Sequence, residues 1–550
     1  MKENLLNEGG SYIENISSIP EEDLDVFYFS PSDSITNRIK EDFKKLQNFL
    51  LLFVNPKSGS LQGNTVLEHI KKYKVSSITN FNIISFPVNI DDSLIKQPKE
   101  LNNKDDIINT DSNNSNHIAA KFDPLVEFSI IVFNIIDKNE MSLGKKFVKK
   151  YLNDFPEFKI KILIAGGDGT VLGIVEDLNK MGIPLPRCVF GAMPFGTGND
   201  LSNALGFGNE CKVGDINDFQ RVLYTYLIGV ESKIDIWELS LNMDNSGAMF
   251  DVVKNGERLK MDENKNKILQ FKKTFVNYFS LGFDARVGFQ FEQRRTSNRC
   301  CNKVVYALEG AKRIFCCKKN YGISQLLDSF MEGGNNPNSN TISSDNDNKN
   351  NILLKEDKSS DSDIEEVPNE PLITVNDMIT SEKRFIFKTK SDGQKDIMLK
   401  GNPVSLICQN IDFYMGGTRN IWDKTSHIGI QQEELTKEGY REYKRQVLDN
   451  WKKQAFDDKK IEFFTFEHGI EIGLEKVARG QARRVYQGYG PVFLEFKKEP
   501  DATERIALTK VYVNCDGEFY HLQNPTEISV RLNTNICDGQ INILRNIKGL

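Results

Sequence analysis

The chain has 550 residues, more than one hydrophobic core usually organises, so two domains with insertions are expected. Its net charge of -6 argues against wholesale nucleic-acid binding and leaves room only for a local basic patch. No run of about 18 apolar residues occurs, and the start MKENLLNEGGSYIEN lacks an apolar signal core and has Lys2 where a myristoylated chain has Gly.

Residues 1–46 are polar and acidic, with Pro20 and Pro31, and read as a disordered tail with a short helix near Ser34–Lys45. The apolar run Phe49–Val54 predicts a buried parallel strand. It ends in Asn55, Pro56, Lys57, Ser58, Gly59, Ser60, Leu61, Gln62 and Gly63, and a helix is predicted over Asn64–Tyr73. Asn55 and Lys57 stand where a nucleotide's phosphates could be met, although the longer Gly-x4-Gly-Lys-Ser/Thr loop is missing. Phe81–Val88 predicts another strand, and the Asn/Asp-rich residues from about 90–120 a disordered insertion. Glu127–Ile136 predicts a strand and Leu143–Leu152 a basic amphipathic helix.

Two strand-turn-helix units follow in direct succession between Lys159 and Gly208. Ile160–Ala165 ends in Gly166, Gly167, Asp168, Gly169 and Thr170, after which Val171, Ile174, Val175 and Leu178 recur at helical spacing. Cys188–Met193 ends in Pro194, Phe195, Gly196, Thr197, Gly198, Asn199 and Asp200, followed by helical Leu201–Leu205. Both turns fall at strand C-termini, where open α/β sheets bind ligands, and successive N–H groups there make an anion site. Asp168 and Asp200 among such glycines make sense if a cation, most simply Mg²⁺, bridges carboxylate and phosphate. The alternative is a pair of tight turns with Asp as turn former.

A helix over Phe219–Leu227 precedes alternating Ser232–Leu241, so the domain boundary is placed close to Val230. Asn242–Lys273 is polar and reads as a hairpin with a loose insertion; FVNYFSLGFDARVGFQFEQRR then runs from a strand into a helix. Arg294–Lys319 carries eight basic residues against Glu309, with apolar residues among them. It reads as a core-facing helix with a solvated basic face, or as a contact for an anionic membrane. Residues from about 331–370 read as disordered. Strands are predicted at Arg384–Lys388, Val404–Asn410, Ile461–Phe466, Gly469–Leu474, Arg484–Gln487, Val492–Lys497, Leu508–Val513 and Glu527–Leu532, with a helix over Glu433–Asp458 and a C-terminal tail over 533–550. The nine cysteines form no C-x-x-C pair, which speaks against zinc; the pairs Cys300–Cys301 and Cys316–Cys317 read as idle thiols or acylation sites.

The segments VNPKSGS (Val54–Ser60), GGDGTV (Gly166–Val171), PFGTGNDLSNALGFG (Pro194–Gly208), NYFSLGFDARV (Asn277–Val287), NIDFYMGGTRNIW (Asn410–Trp422) and VNCDGEFY (Val513–Tyr520), in this order, resemble the catalytic and accessory domains of diacylglycerol kinases. The resemblance implies an α/β nucleotide-binding domain with a parallel sheet over 47–230. A mainly β, sandwich-like domain over 231–532 follows, and the active site lies in the cleft between them. It implies transfer of the γ-phosphoryl of ATP to diacylglycerol, with Mg²⁺. The odd cysteine count and the missing secretory signal fit a cytoplasmic protein, and because diacylglycerol lies in a bilayer, Arg294–Lys319 and the cluster Lys476, Arg479, Arg483 and Arg484 are candidates for peripheral contact with an anionic membrane. Asn55, Lys57, Ser58, Gly59, Gly166, Gly167, Gly169, Thr170, Gly196, Thr197, Gly198 and Asn199 are implied on the nucleotide. Asp168 and Asp200 are implied on the metal, Asp458 in a supporting metal network, although Lys459 replaces the glycine of the family's DDG turn. Glu518 is implied as general base with Asp516 positioning it, whereas from the residues alone NCDGE is a hairpin turn. A kinase of another lipid alcohol, such as a sphingoid base or ceramide, and an inactive lipid- or nucleotide-binding regulator are the alternatives.

Overall fold

Apolar runs too short to bury themselves stack side by side into a sheet. In this computed structural model, which describes residues 49–58, 62–72, 83–86, 128–196, 198–296, 299–315, 320–333, 383–391, 396–432 and 437–547, they do so twice. The first sheet uses β1 (Phe49–Val54), β2 (Ile83–Phe86), β3 (Phe128–Asn134), β4 (Ile160–Gly166), β5 (Cys188–Pro194), β6 (Val230–Asp235) and, from the far end of the chain, β14 (Gln540–Arg545). Their order is β2-β3-β1-β4-β5-β14-β6. The inner five run parallel, and β2 and β6 are antiparallel edges. Parallel strands are covered on both faces and therefore read as continuous apolar runs: Leu50, Leu51, Leu52, Ile162, Leu163 and Ile164 are all fully buried. The helices α1 (Gln62–Lys72), α2 (Lys138–Asp154), α3 (Asp168–Lys180), α4 (Asp200–Ala204) and α5 (Ile216–Leu227) connect these strands.

The register aligns Val54 with Ala165 and Gly166 with Pro194, so the turns after β1, β4 and β5 lie at one end of the sheet. There the turns touch through glycine. A Cβ on Gly196 would lie 2.7 Å from the Gly167 Cα and 2.8 Å from Asn199 Oδ1, and one on Gly63 would lie 2.1 Å from the Asn55 carbonyl oxygen.

The second sheet is antiparallel through its centre. β7 (Trp237–Val253) pairs with β8 (Gln270–Phe275) and with β13 (Glu518–Leu532); next to β13 come β12 (Val511–Cys515), β9 (Tyr278–Gly282), β10 (Ser405–Gln409) and β11 (Ile461–Phe466). The result is a mixed α/β N-terminal part with a parallel sheet and a β-rich C-terminal part. The helices α6 (Phe283–Arg294) and α7 (Arg299–Phe315) pack beside this second sheet, with α8 (Gly469–Leu474) against both. The two sheets are joined by a buried amide. Asn410 Nδ2 donates to the carbonyls of Asp235 (3.1 Å) and Val276 (2.7 Å), and its Oδ1 accepts from Trp237 Nε1 at 3.0 Å. A buried amide with its donors and acceptor used fixes one docking geometry, which accounts for an Asn at this place.

Several expectations change. Of the expected tail 533–550, the described residues 533–547 are folded in: β14 sits between β5 and β6, with Ile543 and Leu544 fully buried. Gly469–Leu474 is helical, not extended, because Glu471 Oε2 accepts from the Glu467 (2.8 Å) and His468 (3.1 Å) N–H groups and closes the first turn. Asn242–Lys273 is ordered as the ends of β7 and β8 with a short strand, Gly256–Leu259, between. The helix expected to reach Asp458 spans Lys437–Asn450, and the one expected at Leu143–Leu152 spans Lys138–Asp154, capped by Asp137. The tail 1–46, its helix at Ser34–Lys45 and the insertion at 90–120 lie outside the described residues, as does all but the start of 331–370.

Candidate active site

Asp168 opens α3 at the end of β4, and Asp200 opens α4 after β5. Carboxylates in a first helical turn face the unsatisfied N–H groups there. Asp168 Oδ2 accepts from Leu201 N at 3.3 Å and from Asn277 Nδ2 at 2.7 Å. Asp200, 3% exposed, accepts from Gly416 N on both oxygens at 3.1 Å. Gly416 lies in a turn where Met415, Gly416 and Gly417 all have positive φ, so its N–H is presented across the gap. Asp516, itself at φ 48, accepts from three consecutive backbone N–H groups: Val276 to Oδ2 at 2.8 Å, and Asn277 and Tyr278 to Oδ1 at 3.0 Å. The first sheet thus contributes two carboxylates and the second sheet a third, with Asn277 between them.

Their electrostatics are unfavourable as they stand. Burial, followed by the charge of Asp168, pushes Asp200 up to about 7. Burial also pushes Asp516 up to about 7 against its backbone N–H donors, with Asp168 adding to the rise. Asp168 is raised by burial in spite of the Leu201 and Asn277 donors. Beside them Asn277 Oδ1 and Asn199 Oδ1 are buried with no hydrogen-bond donor. Carboxylates that resist ionising next to amide oxygens lacking donors make an all-oxygen set of the kind a hard divalent cation relieves. Among the described residues no three Asp, Glu, His or Cys side chains could hold an ion by themselves.

Glu518 begins β13 two residues beyond Asp516. Its Oε1 meets Lys273 Nζ at 2.8 Å and its Oε2 accepts from Tyr520 Oη at 2.6 Å. Burial works to raise its pKa, but the Lys273 hydrogen bond and charge, helped by Tyr520, outweigh it and hold the carboxyl below its usual range. A Cβ on Gly169 would lie 3.9 Å from Glu518 Oε1, so the first glycine turn and this carboxylate face each other. They share a cleft of about 600 Å³ whose walls include Leu172, Lys260, Phe271, Lys273 and Tyr520.

The other predicted residues divide. Asn55 Oδ1 accepts from Lys57 N at 3.0 Å and its own N–H donates to Ala165 at 2.9 Å, so this turn is clamped beside β4 with Lys57 exposed. Ser58 N donates to the Asn55 carbonyl. Thr170 packs back against Gly166. Asn199 turns its amide inward, Nδ2 donating to Pro194, Gly196 and Asn209, and so holds the second glycine turn in shape. Gly59 and Thr197 lie outside the described residues. Asp458 keeps other company: burial raises the pKa of Asp235 and the charge of Asp458 adds to that rise, and Asp458 accepts from Lys460 N at 3.0 Å. Lys459 there takes φ 60, the left-handed region that favours glycine. Lys273, Asn277, Tyr520 and Gly416 were not singled out from the sequence. Asn277 and Gly416 fall inside motifs already noted, whereas nothing local marks Lys273.

Of the basic residues read as membrane contacts, Arg483 pairs with Glu467 at 2.5 Å, and Arg484 donates to the Trp422 carbonyl at 2.8 Å and stacks on its ring. Arg294 and Lys312 both pair with Glu309. The side chains of Cys300 and Cys301 and all of Cys316 and Cys317 lie outside the described residues, and with them the acylation reading.

Residues 107–228 match the family described as "Diacylglycerol kinase catalytic domain" and residues 274–519 that described as "Diacylglycerol kinase accessory domain". Similar curated proteins include "Diacylglycerol kinase 4" of Arabidopsis thaliana, 26% identical over 305 residues, which covers 52% of this chain and 53% of that protein. "Diacylglycerol kinase 3" of the same plant is 30% identical over 178 residues, 29% of this chain and 36% of that protein. Human "Diacylglycerol kinase iota" is 32% identical over 155 residues, 27% of this chain and 13% of that protein. The chain therefore spans about half or less of the length of these relatives.

Proposed function

This chain belongs to the diacylglycerol kinase family, and on that premise we propose that it transfers the γ-phosphoryl of ATP to the free hydroxyl of a diacylglycerol, giving phosphatidic acid and ADP. The observation that carries the reading is the meeting of Asp168 and Asp200, from two glycine turns, with Asn277, Asp516 and Glu518 from the second sheet. We read the whole as a two-domain lipid kinase fold whose reaction takes place in the cleft between the parallel sheet and a sandwich-like β domain.

In this mechanism backbone N–H groups of Gly167, Gly169, Gly196 and Gly198, with Lys57, bind the nucleotide's phosphates. Asp168 and Asp200, with the Asn277 amide oxygen, would hold Mg²⁺, which neutralises charge on the phosphoryl group when bound. Glu518 accepts the proton of the acceptor hydroxyl as that oxygen attacks phosphorus. Lys273 and Tyr520 keep Glu518 ionised and aimed, and Asp516 anchors the turn that carries it to the two-residue link Val276 and Asn277 between β8 and β9. The wide cleft beside Glu518 takes the acceptor end of the lipid, since Phe271, Tyr520 and Leu172 supply apolar wall and the lysines polar contacts.

A lipid acceptor requires a bilayer surface. We assign that contact to α7 and the segment just past α8, where Val304 is 59%, Leu308 54% and Val477 87% exposed, with Lys476 and Arg479 exposed beside them. Among the described residues no helix is long and apolar enough to cross a membrane.

The test is ATP-dependent phosphorylation of diacylglycerol in mixed micelles with Mg²⁺, wild type against Asp168→Ala. Product from the wild type and a loss of about a thousandfold in the variant is expected. A folded, ATP-binding wild type that phosphorylates sphingosine or ceramide but not diacylglycerol would overturn the choice of acceptor, and one that phosphorylates none of them would overturn the enzyme.

A further inference from the structure

Asp284, in the first turn of α6, is a buried carboxylate that phosphoryl transfer as described leaves unused. It is 1% exposed. Its Oδ2 accepts from Ser280 Oγ and from Tyr414 Oη, the latter at 2.7 Å, while its Oδ1 is buried with no hydrogen-bond partner. A buried charge bonded on one oxygen only is a poor source of stability, since an apolar side chain of similar size often does as well or better. What Asp284 holds in place therefore accounts for it better than what it adds to the core.

It holds Tyr414. That residue is equally buried and ends Phe413–Tyr414, a short strand paired antiparallel with Thr418–Arg419. Between the two strands lie Met415, Gly416 and Gly417, the turn whose Gly416 N–H donates to both oxygens of Asp200. All three residues have positive φ, and Met415, at φ 49, carries a Cβ into the left-handed region, so the turn needs support from outside to keep its shape. At the base, Arg419 Nε donates to Asp412 Oδ2 at 3.2 Å and Asn420 N to the Asp412 carbonyl at 2.8 Å. Nearer the tip, Lys476 reaches the Met415 carbonyl at 3.4 Å and Tyr306 the weakly accepting Met415 Sδ at 3.6 Å. The charge-assisted bond from Tyr414 to Asp284 is shorter than either. Burial, followed by the Asp284 charge, pushes the Tyr414 hydroxyl well above its ordinary range, so it stays a donor. The Tyr414 ring also meets Tyr278 edge-on at 4.8 Å, and the Tyr278 N–H donates to Asp516.

We propose that Asp284 is a positioning residue for phosphoryl transfer: through the Tyr414 hydroxyl it fixes where the Gly416 N–H meets Asp200, and so sets how tightly the site holds its divalent cation. The inference rests on the kinase reading, which puts that cation at Asp168 and Asp200. Asp284 itself acts two residues removed, through Tyr414 and the turn.

The test uses the full chain. Tyr414→Phe removes the hydroxyl and keeps the ring, and Asp284→Asn leaves a neutral, weaker acceptor. Each variant is first checked for a cooperative melt. One readout is the Mg²⁺ dependence of diacylglycerol phosphorylation. The other is Mn²⁺ binding with ADP and without lipid, followed by water-proton relaxation, which needs no turnover. In Tyr414→Phe the half-saturating Mg²⁺ and the Mn²⁺ dissociation constant should both rise about tenfold, with the lost activity recovered at high Mg²⁺. A folded Tyr414→Phe that melts earlier but keeps wild-type values in both readouts overturns the proposal, because a merely structural bond gives that result. Should Tyr414→Phe not fold, Asp284→Asn decides: Mn²⁺ binding about threefold weaker supports the proposal, and wild-type binding overturns it. Wild-type protein that binds Mn²⁺ and ADP but phosphorylates no diacylglycerol overturns the kinase reading alone, and the binding readout still judges Asp284. Wild-type protein that binds no Mn²⁺ overturns the cation site and this inference with it.

Discussion

At the scale of single residues, the site is under charge stress that can be measured. The raised pKa values of Asp200 and Asp516, both about 7, mean that the folded protein holds protons that the unfolded chain releases near pH 4. Stability from this source is greatest below about pH 4, falls as pH rises towards 7, and is lost above it. Asp200→Asn removes one charge from the set and should flatten the decline between pH 5 and 7 by about 1.4 kcal/mol per pH unit, read from chemical denaturation in chelator. An unchanged slope would mean that Asp200 is not held above the usual carboxylate range in the folded protein. Glu518 poses the opposite case. Lys273→Met removes the stronger forces that offset burial at Glu518 and leaves only the Tyr520 hydrogen bond and the Lys260 charge against it, so its pKa rises, the acidic limb of the pH–rate profile moves to higher pH, and the rate at neutral pH falls by about tenfold. A variant that loses rate without moving that limb would assign Lys273 to packing. Asp168 and Asp200 were legible because glycine and aspartate concentrate at sharp turns, and such turns announce themselves over five residues, whereas Glu518 stood out only through the family resemblance, since NCDGE by itself reads as a hairpin turn. Lys273 was not legible, because its meaning depends on a partner 245 positions later that only the pairing of β7 with β8 and β13 brings near.

At the scale of elements, β14 shows what local pattern leaves out. QINILR is six residues with three apolar side chains, too little to distinguish a strand from a tail. Its strandhood comes from β5 on one side and β6 on the other, both more than 300 residues upstream. Ile543 is fully buried, so Ile543→Ala should cost about 3 to 4 kcal/mol, seen as an earlier urea midpoint, whereas a tail residue would cost almost nothing. GIEIGL failed in the other direction. Its alternation suits a strand, but the Glu471 carboxylate satisfies two backbone donors and commits the segment to α8. The long strands of the first sheet were readable because parallel strands are apolar throughout and need no partner to be seen.

At the scale of the whole molecule, α7 and α8 connect the proposed membrane face to the reaction site. Tyr306 of α7 donates its hydroxyl to Met415 Sδ at 3.6 Å, and Lys476, just past α8, reaches the Met415 carbonyl at 3.4 Å. Met415 precedes the Gly416 N–H that binds Asp200, and the Lys476 charge is felt by that carboxylate. A bilayer against these helices would therefore lie one turn away from the glycine turn that carries Asp200. Val477 and Leu308 touch neither the carboxylates nor the cleft. Val477→Glu with Leu308→Glu should weaken binding to anionic vesicles by about tenfold or more, since two exposed apolar side chains lose roughly 1 kcal/mol or more of insertion each and add negative charge. Activity on a short-chain diacylglycerol dispersed below its aggregation point should stay within about twofold of wild type, because that substrate needs no surface. Equal losses on both substrates would place the defect in the fold, and equal vesicle binding by both proteins would move the membrane contact to another face.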